Sequence, residues 1–233
     1  MTLIHHRLQS FGGSFQGFID EFQRRYNGEG TALELVIMVT ETFPSFKDEV
    51  YFEGRKGERW LHILRNSMVS TPLLVCLWKR AQILVAETWA AFYPPHPTTA
   101  HPLFPGSRGP AIHQLTMFAD YRVPQILHHL RILTYPASLV GILRAGTPLE
   151  PGSREELSLR AASIVAVERV RGQMRMMVGE SDSVDSEEGV VSSVLIDFYL
   201  WDLGKRVERG EEVIEGIETA EMLPTHRTRS IWY

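Results

Sequence analysis

Val194-Leu195-Ile196-Asp197-Phe198-Tyr199-Leu200-Trp201-Asp202 decides the fold class. The run is apolar enough to be buried and continues a helical pattern from Val190 to Lys205,. Inside it Asp197 is flanked by Leu195, Ile196 and Phe198. A desolvated carboxylate costs free energy, so one placed there needs a structural partner or a chemical use. A helix puts Asp197 and Trp201 on one face, one turn apart. Asp202 then lies roughly 140° around the axis from Asp197. The two aspartates share an edge only if the helix ends or bends there; otherwise Asp202 is a solvated last-turn residue.

Outward from this run the chain reads as helices joined by turns. Leu8, Phe11, Phe15, Phe18, Ile19 and Phe22 make one amphipathic stripe from Arg7 to Tyr26, interrupted at Gly12-Gly13,. Thr31 starts a second helix, Ala32 to Thr42, which Phe43-Pro44 ends,. Ser45 to Gly54 is extended or loop. Leu73 to Phe92 reads as one long apolar helix carrying Lys79, Arg80 and Gln82, and 93–110 is a proline-rich loop,. Arg122 to Leu133 is helical, with Pro124 in the first turn where its missing donor is harmless. Ser153 caps a long helix reaching Met177, with Glu155 and Glu156 near its positive end,. The acidic, serine-rich stretch 181–188 reads as a surface loop. Pro224 to Tyr233 is expected to lie back across the body, because a free tail gains nothing from Ile231, Trp232 and Tyr233,. The expectation is an all-α chain forming a single domain over 1–233.

The bulk numbers narrow the function. With 44% hydrophobic and 22% charged residues the composition is that of an ordinary globular protein,. A formal net charge of -4 argues against a general polyanion binder, so no direct nucleic-acid binding is expected,. A single cysteine, Cys76, rules out an internal disulfide and a cysteine-built zinc site,. The longest apolar run, Leu73 to Trp78, is too short to span a bilayer,. These features suggest a cytosolic or nuclear location. The histidines show no metal-binding spacing, since His128 and His129 point about 100° apart on a helix,. No phosphate loop, dinucleotide fingerprint or nucleophile elbow is present.

Two further runs mix charge with aromatics. In Phe118-Ala119-Asp120-Tyr121-Arg122, Asp120 is either an N-cap for the following helix or a ligand for a flat polar ring stacked on Phe118 or Tyr121. In His226-Arg227-Thr228-Arg229, the two arginines are either solvated or a phosphate clamp. Lys79-Arg80 is a second cation pair, open to the same two readings.

Together these runs resemble the queuosine salvage protein family, the queuosine 5′-phosphate N-glycosylase/hydrolases. The likeness also rests on Phe11-Gly12-Gly13-Ser14-Phe15, Thr42-Phe43-Pro44-Ser45-Phe46-Lys47-Asp48 with Phe52-Glu53-Gly54, and Lys79-Arg80-Ala81-Gln82-Ile83-Leu84-Val85-Ala86. It continues through Met117 to Gln125, Leu159-Arg160 with Val167-Glu168, Ile196 to Asp202, and the terminal His-Arg-x-Arg-x-Ile-aromatic-Tyr. The resemblance implies an all-α fold similar to helix-hairpin-helix DNA glycosylases. It implies hydrolysis of the N-glycosidic bond of queuosine 5′-monophosphate, releasing queuine for transfer-RNA modification, without metal or organic cofactor. Asp197 is the implied catalytic carboxylate. Phe118, Asp120, Asp202, Trp201 and Tyr121 are the implied substrate contacts, and Lys79, Arg227 and Arg229 are candidates for the phosphate.

Two departures shape the expectation. The chain begins where the family's middle begins, so the family's amino-terminal third, with a histidine expected in the queuine pocket, has no counterpart here. Residues 57–78 read as an insertion, with Trp60, Leu61, Ile63 and Leu64 a large apolar load for a surface loop,. The alternative to an active N-glycosylase is therefore a truncated, catalytically impaired homologue that binds the nucleotide weakly or acts as a helical interaction module. A DNA-repair glycosylase follows from fold analogy alone and sits poorly with an acidic chain.

Overall fold

The computed structural model describes residues 6–52, 73–96, 98–178 and 191–233. Seven α-helices and one two-stranded ribbon carry the architecture there: α1 (Phe15–Arg25), α2 (Ala32–Thr42), β1 (Glu49–Phe52), β2 (Leu73–Cys76), α3 (Lys79–Ala91), α4 (Arg122–His129), α5 (Ala137–Arg144), α6 (Arg154–Val178) and α7 (Ser193–Glu208). The described chain is thus mostly helical, as the periodicity indicates.

Local chemistry sets the boundaries. Ser14 caps α1 by accepting the Gly17 N–H at 3.0 Å, just after Gly12 and Gly13 turn the chain at positive φ,. Thr31 opens α2 with a capping box, its own N–H donating to Glu34 Oε2 at 2.7 Å,. Phe43-Pro44 ends that helix where the sequence places the stop,.

One expectation is corrected. Leu73 to Phe92 is not one helix: Leu73–Cys76 is β2, antiparallel to β1 with Val50 opposite Val75 and Tyr51 opposite Leu74. A short apolar run does not distinguish strand from helix by itself, and here β1 supplies a pairing edge. The Leu77 and Trp78 N–H groups then both donate to Asp48 O, at 2.9 and 3.3 Å. Trp78 takes φ 46°, and α3 begins only at Lys79. Residues 57–72 of the expected insertion lie outside the described residues, as does the 181–188 loop.

Other boundaries shift by a turn. α4 stops at His129 rather than Leu133, where Leu130 caps it and Arg131 turns back at φ 58°. α7 runs from Ser193 to Glu208, three residues later than the pattern indicates at each end, because Ser192 accepts the Leu195 N–H and fixes the start,. α5 was not anticipated.

Packing falls into three apolar clusters. Phe18 and Phe22 of α1, Leu35 and Val36 of α2, and Val85 and Trp89 of α3 form the first, with Phe104, Phe118 and Val194. Each such side chain contributes roughly 1.5–3 kcal/mol on burial. Val123, Ile126 and Leu127 of α4 pack with Leu157, Val167, Ile196, Leu200 and Leu203 as the second. Gly204 lets α7 approach α4 closely, since a Cβ there would lie 3.3 Å from Arg122 Cγ. Leu139, Leu143, Leu149, Leu159 and Leu223 make the third.

The first two clusters meet at a seam that crosses two chain segments. Phe118 belongs to one cluster while Met117 and Ala119 belong to the other; Val194 belongs to one while Ile196 belongs to the other. Asp197 and Asp120 adjoin this seam in sequence. The terminal segment does return across the body: Leu149 N–H donates to Arg227 O at 2.7 Å, and Lys79 Nζ donates to Trp232 O at 3.2 Å.

Candidate active site

The buried charged side chains among the described residues are Asp48, Lys79, Asp120, Glu156, Arg160 and Asp197, apart from histidines. They belong together: Lys79 feels Asp120, Arg160, Asp48 and Asp197, and Arg160 is ion-paired to Asp48 and Glu156. Four buried carboxylates thus face two buried cations, with Arg122 acting on Asp120 from the partly exposed rim, which leaves carboxylates in excess in a desolvated setting. Such an excess must hold protons or await a cationic ligand.

Asp197 projects from the second turn of α7 and is 3% exposed. Its Oδ2 accepts the Phe118 backbone N–H at 3.0 Å. Burial pushes its carboxyl up to about 8, with the Asp120 charge adding to the rise and the Phe118 N–H and Lys79 opposing it. Asp120 is better supplied: its Oδ1 accepts the Arg122 and Val123 N–H groups at 3.0 and 2.9 Å. Burial still raises it, against those two bonds and the Lys79 charge. Asp120 therefore does cap α4, yet it also shares the field of Asp197 and Lys79. The capping and ligand readings of this residue are compatible.

Lys79 opens α3 and is buried with its ammonium 5.0 Å from the Tyr233 ring and 6.0 Å from the Tyr121 ring,. Burial lowers its pKa, against Asp120, Asp48 and Asp197, while Arg160 reinforces the drop. Its position against carboxylates makes it a charge-balancing group of this cluster.

Sequence reasoning gave no site role to the other half of the cluster, although Asp48, Arg160, His226 and Tyr233 lie in runs that carry the resemblance. Arg160, 2% exposed on α6, grips both Asp48 oxygens and Glu156 Oε1, and its Nε donates to Ala119 O at 3.0 Å. Tyr233 donates its hydroxyl to Glu156 Oε1 at 2.6 Å, and His226 Nε2 lies 3.2 Å from the same hydroxyl. Burial, with Arg160 and Lys79 nearby, pushes His226 down to about 4, so it is neutral at pH 7. The absence of any acidic partner for Arg160 within reach along α6 except Glu156 was the available hint. Asp48 is 112 residues away and shows itself only in three dimensions. A cavity of about 160 Å³ lies on this flank, lined by Asp48, Glu49, Glu156, Arg160, Ser230 and Trp232 among others.

The remaining candidates are placed differently. Phe118 is buried and packs its ring against Phe198 at 5.7 Å, so its backbone rather than its face meets Asp197. Tyr121 is half-buried beside Lys79. α7 stays helical through Asp202, which points to the exposed side and pairs with Arg206 at 3.0 Å. Trp201 is 38% exposed with Lys205 4.2 Å over its ring. Arg227 and Arg229 are exposed. Among the described residues, no group of three or more His, Cys, Asp or Glu side chains is placed to hold a metal ion.

A family model described as queuosine salvage protein matches residues 3–233, nearly the whole chain. The chain belongs to the queuosine salvage protein family. Relatives described as queuosine 5′-phosphate N-glycosylase/hydrolase include one from Mus musculus, 32% identical over 230 residues, covering 97% of this chain and 54% of the relative. One from Bos taurus is 30% identical over 230 residues, with 97% and 53% covered. One from Sphaerobacter thermophilus is 34% identical over 206 residues, with 87% and 48% covered. The chain therefore spans about half the length of these relatives. In this queuosine salvage chain the runs that carried the resemblance converge on one place: Asp48, Lys79, Asp120, Arg160, Asp197, His226 and Tyr233 each come from a different matching run or from the shared terminal one. Among the described residues, no helix is long and apolar enough to cross a membrane.

Proposed function

We propose that this chain hydrolyses the N-glycosidic bond of queuosine 5′-monophosphate, with Asp197 as the catalytic carboxylate. The observation that carries the reading is the buried excess of carboxylates centred on Asp120 and Asp197 in a chain of this family. In the reaction the bond between ribose C1′ and the base nitrogen breaks, and its electron pair leaves with the base. Water supplies the hydroxyl to C1′ and a proton to the base, giving queuine and ribose 5-phosphate. The ribose passes through an oxocarbenium-like cation, which an ionised carboxylate stabilises or traps. Queuine has carbon where guanine has N7, so protonation there is not available to help departure, and more of the barrier falls on the carboxylate.

The electrostatics fit a cationic substrate arm. The free site keeps a proton on Asp197 at neutral pH, its carboxyl standing at about 8. The secondary ammonium of the queuine side arm, held near Asp120, replaces that proton as the balancing charge and leaves Asp197 ionised. Tyr121 and the Phe118 backbone frame the base. Trp201 and Asp202, on the exposed side of α7, contact the outer part of the substrate. A net-negative pocket repels phosphate, so the 5′-phosphate faces the exposed Arg227 and Arg229 while Lys79 balances the carboxylates. We assign the helices to one domain of the helix-hairpin-helix DNA-glycosylase type, and no cofactor is required by this scheme. The formal net charge of -4 argues against nucleic acid as the substrate itself, and a soluble, cytosolic or nuclear setting suits salvage of a nucleotide,.

The test is release of free queuine from queuosine 5′-monophosphate by the purified chain, followed by mass spectrometry. Saturable, stoichiometric formation of queuine and ribose 5-phosphate is expected. A folded chain that binds the nucleotide and leaves it intact contradicts the reading and favours a binding module.

A further inference from the structure

Ala119 holds φ 41°, a left-handed conformation that costs an L-residue free energy and persists only when its surroundings impose it,. It sits between the two groups that matter most. The residue before it, Phe118, gives its N–H to Asp197, and the residue after it is Asp120. Ala119 is fully buried, and its carbonyl accepts Arg160 Nε at 3.0 Å. Its own N–H meets the Met117 sulfur at 3.0 Å. The Arg160 guanidinium is in turn fixed by both oxygens of Asp48 and by Glu156, which Tyr233 holds from the other side. A planar guanidinium held at Nη1 and Nη2 leaves Nε aimed in one direction.

We propose that Arg160 is a positioning residue for Asp197 and Asp120: it clamps the Ala119 carbonyl, locks the left-handed turn, and so fixes both the Phe118 N–H that orients Asp197 and the start of the Asp120 cap. Its part in catalysis rests on the glycosylase reading; its grip on the turn does not. Arg160 touches no reacting atom. The group reaches the turn through one backbone carbonyl while its charge also acts on Lys79 and His226, and the ion pairs with Asp48 and Glu156 serve to aim it. Such a device explains why a left-handed alanine occurs where a glycine would fit without strain.

Arg160→Lys separates this role from a plain ion pair, because lysine keeps the charge near Asp48 and Glu156 but has no Nε to hold the turn. Two readouts are needed. First, the Asp197 carboxyl is titrated by carbon-13 NMR in wild type and Arg160→Lys. Loss of a well-aimed Phe118 N–H weakens the ionised form, so the midpoint moves further up, by about half a unit or more. Second, kcat and KM for queuine release are measured in wild type, Arg160→Lys, Ala119→Gly and the double variant. Misplacing a catalytic carboxylate lowers kcat by about 10-fold or more with little change in KM. Glycine adopts φ 41° unaided, so Arg160→Lys costs less, about 3-fold or under, in the Ala119→Gly background. Should Arg160→Lys not fold, Asp48→Asn slackens the clamp while keeping an acceptor, and the same upward titration shift is expected in smaller measure.

A variant that lowers thermal stability but leaves the Asp197 titration in place overturns the proposal. Equal kcat losses in the Ala119 and Ala119→Gly backgrounds overturn it as well. A shifted titration in a chain with no wild-type turnover leaves the positioning role standing and refutes the glycosylase reading instead.

Discussion

The Phe118 backbone N–H donates to Asp197 Oδ2 at 3.0 Å across 79 residues of sequence, joining the turn before α4 to the second turn of α7. This one bond sits at the seam of two apolar clusters and is the single hydrogen bond to the buried carboxylate among the described residues. Asp120, by contrast, takes two backbone N–H groups on one oxygen. The difference sorts the two acids: Asp120 is the better-stabilised anion, and Asp197 is the one left costly to ionise.

That cost has a sign. The Asp197 carboxyl stands at about 8 in the folded chain, above its value of 3.8 in an unfolded one. The folded state therefore binds more protons between these values, and stability falls as pH rises from about 4 to about 8. Asp197→Asn keeps an acceptor for the Phe118 N–H and removes the charge. Its thermal midpoint is expected above wild type at pH 8, on the order of a few kcal/mol more stable, with the gap closing toward pH 4. Equal midpoints at both pH values would show that Asp197 carries no such burden.

His226 works in the opposite direction. Its folded value of about 4 lies below the ordinary 6.5, so the unfolded chain takes the proton first. Its contribution is complete above about pH 6.5 and is lost as pH falls toward 4. Replacing His226 by glutamine should flatten the acid limb of the stability profile in that window, measured by thermal melts at half-unit steps. An unaltered acid limb contradicts the buried neutral imidazole.

The catalytic reading makes a kinetic claim from the same geometry. If Asp197 must be ionised, kcat/KM rises tenfold per pH unit below about 8 and levels above it,. The kcat profile turns at lower pH, because a bound ammonium favours the carboxylate. A flat kcat/KM profile between pH 6 and 9 is incompatible with this account.

Tyr233→Phe tests the terminal strap. It removes the 2.6 Å bond to Glu156 and the partner of His226. A loss of roughly 1–2 kcal/mol is expected, a fall of about 2–8 °C in the melting midpoint. No change in the midpoint would mean that the hydroxyl is not engaged with Glu156 in solution.

Legibility followed the range of the forces involved. α2 could be bounded because Thr31 at its start and Phe43-Pro44 at its end each act on the residues next to them. Asp197 stood out because its apolar neighbours are adjacent in sequence. Leu73–Cys76 was misread because its partner strand lies more than twenty residues earlier, and only pairing decides strand over helix for such a run. Arg160 lies in a run that carries the resemblance, yet its role stayed hidden because an arginine near Arg154, Glu155 and Glu156 looks like a solvated helix face until Asp48 and Ala119 come to it. Asp202 shows the converse: a residue conspicuous in sequence sits exposed, paired to Arg206.

The most direct measurement compares queuine release from queuosine 5′-monophosphate by wild type, Asp197→Ala and Asp197→Asn, with folding of each checked by its melt. The account predicts turnover by wild type and a loss on the order of 100-fold or more in both variants, the asparagine form being the more stable protein. Undiminished release by a folded Asp197→Asn chain would contradict it.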